Sequence, residues 1–318
     1  MRLLGDVADV VLDRTVAPGY LRTGLALRKR LPGWPADPAP HALQGHVALV
    51  TGASSGLGIA TVEGLARLGA EVQLVVRDVE KGERVAAELR TRVPNSQLEV
   101  RRCDLADLED VRRFAAETTT DRVDVLVHNA GVMPPQRTES PQGHELTMAV
   151  HVLGPVLMTE LLRPQLAASE SARVVLVTSG GMYAQKLRAD DPEYLDGDYS
   201  PTTAYARSKR AQVDLLPLLA ARWSGDLTVH ATHPGWADTP GVVDSLPRFH
   251  KLTGPLLRTA EQGADTTVWL AATAPAPESG QLWHDRRPRP TVLVPGTRAS
   301  EGAVQTVYTW LLSQVDLA

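Results

Sequence analysis

The chain has 318 residues, 43% of them hydrophobic, a net charge of −4 and one cysteine. That apolar content suffices for one large α/β domain, and charges of both signs are interspersed, which leaves no basic footprint for nucleic acid. A lone cysteine excludes a disulfide framework and fits a reducing compartment, the nine histidines lack the spacing of a structural zinc site, and with no apolar run near the roughly 18 residues of a membrane span a cytoplasmic protein is expected.

Residues 1–43 read as a helical arm. Leu3, Val7, Val10, Val11 and Arg14 space as one short amphipathic helix, and Leu21, Leu25 and Leu27, followed by Arg28-Lys29-Arg30, as a second. Asp6, Asp9 and Asp13 interrupt any signal-peptide form. Pro32, Pro35, Pro38 and Pro40 then make a linker that cannot continue a helix. The favoured reading packs the arm on the domain or on a partner subunit; a second reading, membrane contact through its basic cluster, is set back by the acidic residues.

From residue 44 the chain alternates strands and helices. Val47 to Val50 is a buried strand, and Gly52, Ser54, Ser55, Gly56, Leu57 and Gly58 form a glycine-rich turn into a helix that stops at Gly69. Such a turn lets backbone N–H groups at the helix start approach a pyrophosphate. Glu71 to Val76 is the second strand. Arg77 follows it, either as a surface cation or as a charge-assisted partner for a 2′-phosphate; Asp78 beside it keeps NAD open as the alternative to NADP. Leu98 to Arg101 is the third strand and leads to Cys103, read as a small buried residue, and to Asp104, a turn cap before the helix near Leu108 to Thr118. Val123 to Val127 is the fourth strand, with His128-Asn129-Ala130-Gly131 after it; Glu145 to Leu162 is the next helix, and Arg173 to Val177 the fifth strand, ending in Thr178-Ser179. A polar, turn-rich segment follows and is expected beside the substrate mouth. Tyr205 and Lys209 then fall four apart on a helix, on one face, where an ammonium lowers the pKa of a phenol. Residues 227–232 form a sixth strand, and Ser300 caps a final helix.

Thr51-Gly52-x3-Gly56-x-Gly58, Asn129-Ala130-Gly131, a Ser-ended strand at Ser179 and Tyr205-x3-Lys209, taken together, resemble the short-chain dehydrogenases/reductases over residues 45 to about 290, and Val75-Val76-Arg77-Asp78 is similar to the NADP-using retinol-dehydrogenase branch. The resemblance implies a single doubly wound Rossmann domain over 44–318, with a parallel sheet of about seven strands, helices on both faces and a substrate lid near 241–258. It implies an enzyme acting on CH–OH groups with NADP (NADPH) or NAD, on a small alcohol or carbonyl substrate, which the lid residues Leu246, Phe249 and Leu256 suggest is lipophilic. Homo-oligomers are frequent in the family. It assigns Ser179, Tyr205 and Lys209 to catalysis, and places Tyr205 and Lys209 at the cofactor as well, Lys209 on the nicotinamide ribose. It brings Asp104 and Leu105 to the adenine, Asn129, Ala130 and Gly131 along the cofactor, and Pro234, Gly235 and Thr239 to the nicotinamide. The departure is His151, where the family usually carries an Asn that holds a helix bend and a water leading to the lysine. That substitution sustains a rival expectation, a nucleotide-sensing module with impaired catalysis.

Overall fold

The computed structural model describes residues 2–15, 17–238, 251 and 253–317. Three helices make the arm: α1 (Arg2–Arg14), α2 (Ala17–Tyr20) and α3 (Arg22–Arg28). The domain then runs β1 (Val47–Thr51), α4 (Gly56–Arg67), β2 (Glu71–Val76), α5 (Val79–Arg92), β3 (Leu98–Arg102), α6 (Leu108–Ala116), β4 (Val125–His128), α7 (Leu146–Met148), a π-helical turn (Ala149–Leu153), α8 (Gly154–Leu161) and α9 (Arg163–Ala167). After these come β5 (Arg173–Val177), α10 (Pro201–Arg222), β6 (Thr228–Thr232), α11 (Ala260–Ala272), β7 (Gln281–His284), β8 (Arg287–Arg289) and α12 (Glu301–Gln314).

The strands form one eight-stranded sheet in the order β3-β2-β1-β4-β5-β6-β7-β8. Neighbours pair in parallel except β7 with β8. Because helices cover both faces, the central strands β1, β4 and β5 are buried along nearly their whole length rather than on alternate residues. On β1, Leu49 packs into the hydrophobic cluster on one side of the sheet, and Ala48 and Val50 into the cluster on the other. The strand order reverses between β1 and β4, and the carboxyl ends of those two strands open the crevice where doubly wound sheets take their ligands.

The sequence reading counts about seven parallel strands; the structure adds β8 as an antiparallel edge. Asp285 and Arg286 make the two-residue turn into it, with φ of +52° and +55°. Side chains rarely adopt that region. Here Asp285 receives Arg28 at 2.6 Å and Arg258 at 2.6 Å, and Arg286 pairs with Asp265 at 2.8 Å and Asp37 at 2.6 Å, so four ion pairs hold a turn that glycine usually makes.

The arm packs on the domain in an orientation its periodicity does not foretell. The stripe Val7, Val10 and Val11 faces outward, 59%, 54% and 55% exposed. Asp9 and Asp13 face inward instead. Asp9 lies 2.8 Å from Arg28 and 2.7 Å from Arg289, both buried, and Asp13 lies 3.5 Å from Arg289. The expected helix over Glu145 to Leu162 is interrupted by a π-turn centred on His151. Most of the expected lid, including Leu246 and Phe249, lies outside the described residues, and Gly254–Leu256 forms a short 3₁₀ turn.

Candidate active site

A cleft of ≈ 670 Å³ runs along the carboxyl edge of the sheet at the reversal point. At its centre β1 passes through Gly52 into α4. A Cβ on Gly58 would lie 2.2 Å from the Gly52 carbonyl oxygen and 2.8 Å from Asn129 Nδ2, so only hydrogen fits there and the helix start stays close to the turn. The Ser55 cap position has no side-chain bond, which leaves the first N–H groups of α4 facing the cleft. Asn129 ties β4 to this turn: Nδ2 donates to Thr51 O at 3.1 Å and to Gly52 O at 3.2 Å. Thr51 completes the tie. Its hydroxyl accepts from the backbone N–H of Asn129 at 3.0 Å and of Ala130 at 3.1 Å, and donates to Val127 O at 3.3 Å. Thr51 stands in the recognised motif, yet the sequence reading gave it no role, because its work lies in cross-strand bonds that spacing does not show.

At one end of the cleft Arg77 and Asp104 line the wall with Leu105, together with Lys81, which the sequence reading missed. Lys81 lies in the first turn of α5, and a second cation four residues after Arg77 was the available signal. The Asp78 carboxylate accepts from the Lys81 backbone N–H at 2.9 Å and caps α5, and Asp78 also lines this end of the cleft. Asp104 lines the cleft, and its side chain accepts from Ala106 N at 3.0 Å, the turn contact considered for it. Cys103 is buried and its thiol is pushed up to about 12, chiefly by burial.

The other end holds Ser179, Tyr205 and the segment Gly235 to Ala237. Ser179 Oγ accepts from the Gly181 N–H at 3.2 Å. Burial raises the pKa of the Tyr205 phenol above its ordinary value of 10.0, and a side-chain hydrogen bond with Ser179 partly offsets that rise. Lys209 is buried, and desolvation brings its amine down to about 7. Nζ donates to Val177 O at 2.8 Å and lies 5.7 Å from the centre of the Tyr205 ring. Lysine sits within reach of the ring, but its hydrogen bond goes to the backbone, and burial dominates the tyrosine.

His151 does not line the cleft. It is fully buried behind Tyr205, edge-on to that ring at 5.2 Å. Its Nε2 accepts from the Val132 N–H at 3.0 Å, which fixes the proton on Nδ1. Nδ1 then donates to Ser208 Oγ at 2.7 Å, and the Ser208 hydroxyl donates to Tyr205 O at 2.8 Å. The His151 carbonyl is taken by Gln212 Nε2 at 2.6 Å. Burial and, secondly, the Lys209 charge hold the imidazole well below 6.5. The ring is neutral, with both nitrogens occupied.

Pro234 sits behind the cleft wall, and its carbonyl accepts from Arg258 at 3.3 Å. Thr239 lies outside the described residues. Among the described residues, none between 182 and 201 lines the cleft. That segment is instead tied down by His144 to Glu193 at 2.7 Å and by the Tyr199 hydroxyl, which donates to Glu145 at 3.2 Å.

A family model described as short chain dehydrogenase matches residues 46–247. Dehydrogenase/reductase SDR family member 12 of Homo sapiens is 37% identical over 289 residues, 88% of this chain and 90% of that protein. Retinol dehydrogenase 12 of Bos taurus is 38% identical over 251 residues, 76% of this chain and 78% of the relative. Among solved structures, a chain from Escherichia coli CFT073 complexed with NADPH aligns with a TM-score of 0.64 at 25% identity, over 79% of this chain and 100% of that one.

Proposed function

Because this chain belongs to the short-chain dehydrogenase/reductase family and is an oxidoreductase of CH–OH groups, we propose that it interconverts an alcohol and a carbonyl using NADP(H), with Tyr205 as general acid and base. One observation carries the reading: Tyr205 and Ser179 together line the end of a cleft whose middle is the Gly52 to Gly58 cradle. The fit to a dinucleotide rests on that cradle, where the position of Gly58 excludes any side chain.

The pyrophosphate would lie against the first turn of α4, where free N–H groups and the helix dipole favour negative charge. Arg77 and Lys81 would pair with a 2′-phosphate. Asp78 lines the same end with one carboxylate oxygen engaged by the Lys81 N–H, and the two cations outnumber it there, which favours NADP over NAD. Bound NADP(H) supplies or accepts the hydride.

The remaining steps belong to side chains. Ser179 donates to the carbonyl oxygen as it gains charge. Tyr205 gives its proton to that oxygen in reduction and takes it back in oxidation. Lys209 stands behind the Tyr205 ring, 5.7 Å from its centre, where its charge would favour the phenolate formed as the proton leaves. His151 has no free nitrogen to carry that proton; it holds the Tyr205 turn through Ser208. The substrate end is walled by Met133, Leu146, Val150 and Trp236, which suits a lipophilic alcohol or carbonyl. A panel of ketones and aldehydes with NADPH, followed by absorbance with NADH alongside, tests the reading. Oxidation of NADPH by lipophilic members supports it, and no oxidation of either nucleotide by any member counts against it.

The second reading, a nucleotide-sensing module with impaired catalysis, draws its support from His151 and from the occupied carbonyl beside it. A large gain in turnover on His151→Asn would favour that module.

A further inference from the structure

The arm precedes the stretch matched by the family model, yet it reaches both walls at the tyrosine end of the cleft. Tyr20 closes α2 and is 1% exposed. On one side its ring presses on the turn after Ser179: a Cβ on Gly180 would stand 2.8 Å from Tyr20 Cε2. On the other it meets Trp236 edge-on at 6.0 Å between ring centres, with His233 at 4.7 Å. The backbone contact is closer still. Trp236 N–H donates to the Tyr20 carbonyl at 2.9 Å. Gly235 holds φ +73°, and a Cβ there would lie 2.8 Å from that same carbonyl, so the cleft wall is shaped to the arm.

Arginines lock the contact from behind. Arg28 donates to the Gly19 carbonyl at 2.7 Å, and Arg258 to the same oxygen at 2.9 Å. Both guanidiniums bind the buried Asp285 carboxylate. The Arg258 N–H donates to Trp236 O at 2.8 Å, and its side chain to Pro234 O. A charge cluster this buried gains little stability over an apolar one, but it fixes geometry, because a shift in any member strands a charge. Among the described residues the arm makes no hydrogen bond to Arg77, Lys81 or Asp104 at the other end of the cleft.

We infer that the N-terminal arm is a working part of the site: Tyr20 is a positioning residue that sets the Ser179 turn and the Gly235–Trp236 wall against the nicotinamide half of the cofactor. The inference rests on the dinucleotide reading above. Its consequence is a split between the two halves of the ligand, since one half of the cleft is backed by the arm and the other is not.

The test titrates the full-length chain with NADPH, read by nicotinamide emission, and with adenosine 2′,5′-bisphosphate, which reaches only the adenosine half. Tyr20→Ala is expected to weaken NADPH about tenfold and to leave the bisphosphate unchanged. Tyr20→Phe is expected to match the native chain, because the hydroxyl has no hydrogen-bond partner among the described residues. Where Tyr20→Ala does not fold, Tyr20→Leu carries the same expectation. Equal weakening of both ligands would mean a purely structural role and overturn the inference, as would unchanged NADPH affinity. If the native chain binds neither ligand, the dinucleotide reading fails first and takes the inference with it.

Discussion

His151→Asn probes the most consequential departure from the family pattern. The structure makes the imidazole neutral, because the Val132 N–H is a donor that only an unprotonated Nε2 can accept. Its folded pKa therefore lies well below 6.5, through burial first and the Lys209 charge second. In the unfolded chain the same ring titrates near about 6.5. As pH falls through that value the unfolded state takes up a proton and the folded state does not, so the native protein loses stability toward acid. The contribution is fully present above the unfolded pKa and is lost progressively below it. Between about pH 7.5 and about pH 5.5 it amounts to about 1.4 kcal/mol. His128, His230, His233 and His284 are held low in the same way and add to the native acid slope. A comparison of variant with native protein cancels them. Urea unfolding at the two pH values should show a stability drop smaller by about 1.4 kcal/mol in His151→Asn. An identical pH dependence in the two proteins would mean that the ring titrates freely in the fold, and the tautomer argument would be wrong.

Two further substitutions test the two ends of the ligand. Gly58→Ala puts a methyl group 2.2 Å from the Gly52 oxygen, and the forced shift should weaken NADPH about tenfold or more in a fluorescence titration; unchanged affinity would contradict the cradle assignment. Arg77→Glu should weaken NADPH about tenfold or more while sparing NADH, and an equal effect on both would remove Arg77 from the 2′-phosphate.

Much of the cleft was legible in the chain because its signals are local. The β1 run, the glycine turn and the Tyr205-x3-Lys209 spacing lie within single elements, and the cleft unites Gly52, Arg77, Asp104, Asn129, Ser179 and Tyr205 as expected. What was hidden depends on distant partners. Asp9 reads as solvent-facing beside an apolar stripe, since a surface helix usually buries that stripe. Its ligands are Arg28 and Arg289, 19 and 280 residues away. Likewise, the hairpin turn at Asp285–Arg286 lacks glycine, and its left-handed backbone is held by ion pairs from the arm and from Arg258. The π-turn at His151 arises where that ring reaches Val132 and Ser208, and helical periodicity carries no trace of it.

Tyr205→Phe bears on the central claim most directly. The variant keeps the ring between His151 and Lys209 and removes only the hydroxyl at the Ser179 end of the cleft. With a carbonyl that the native enzyme reduces, stopped-flow absorbance should show NADPH bound at near-native affinity and no hydride transfer. Native-like turnover in that variant would contradict the assignment of Tyr205 as the proton donor.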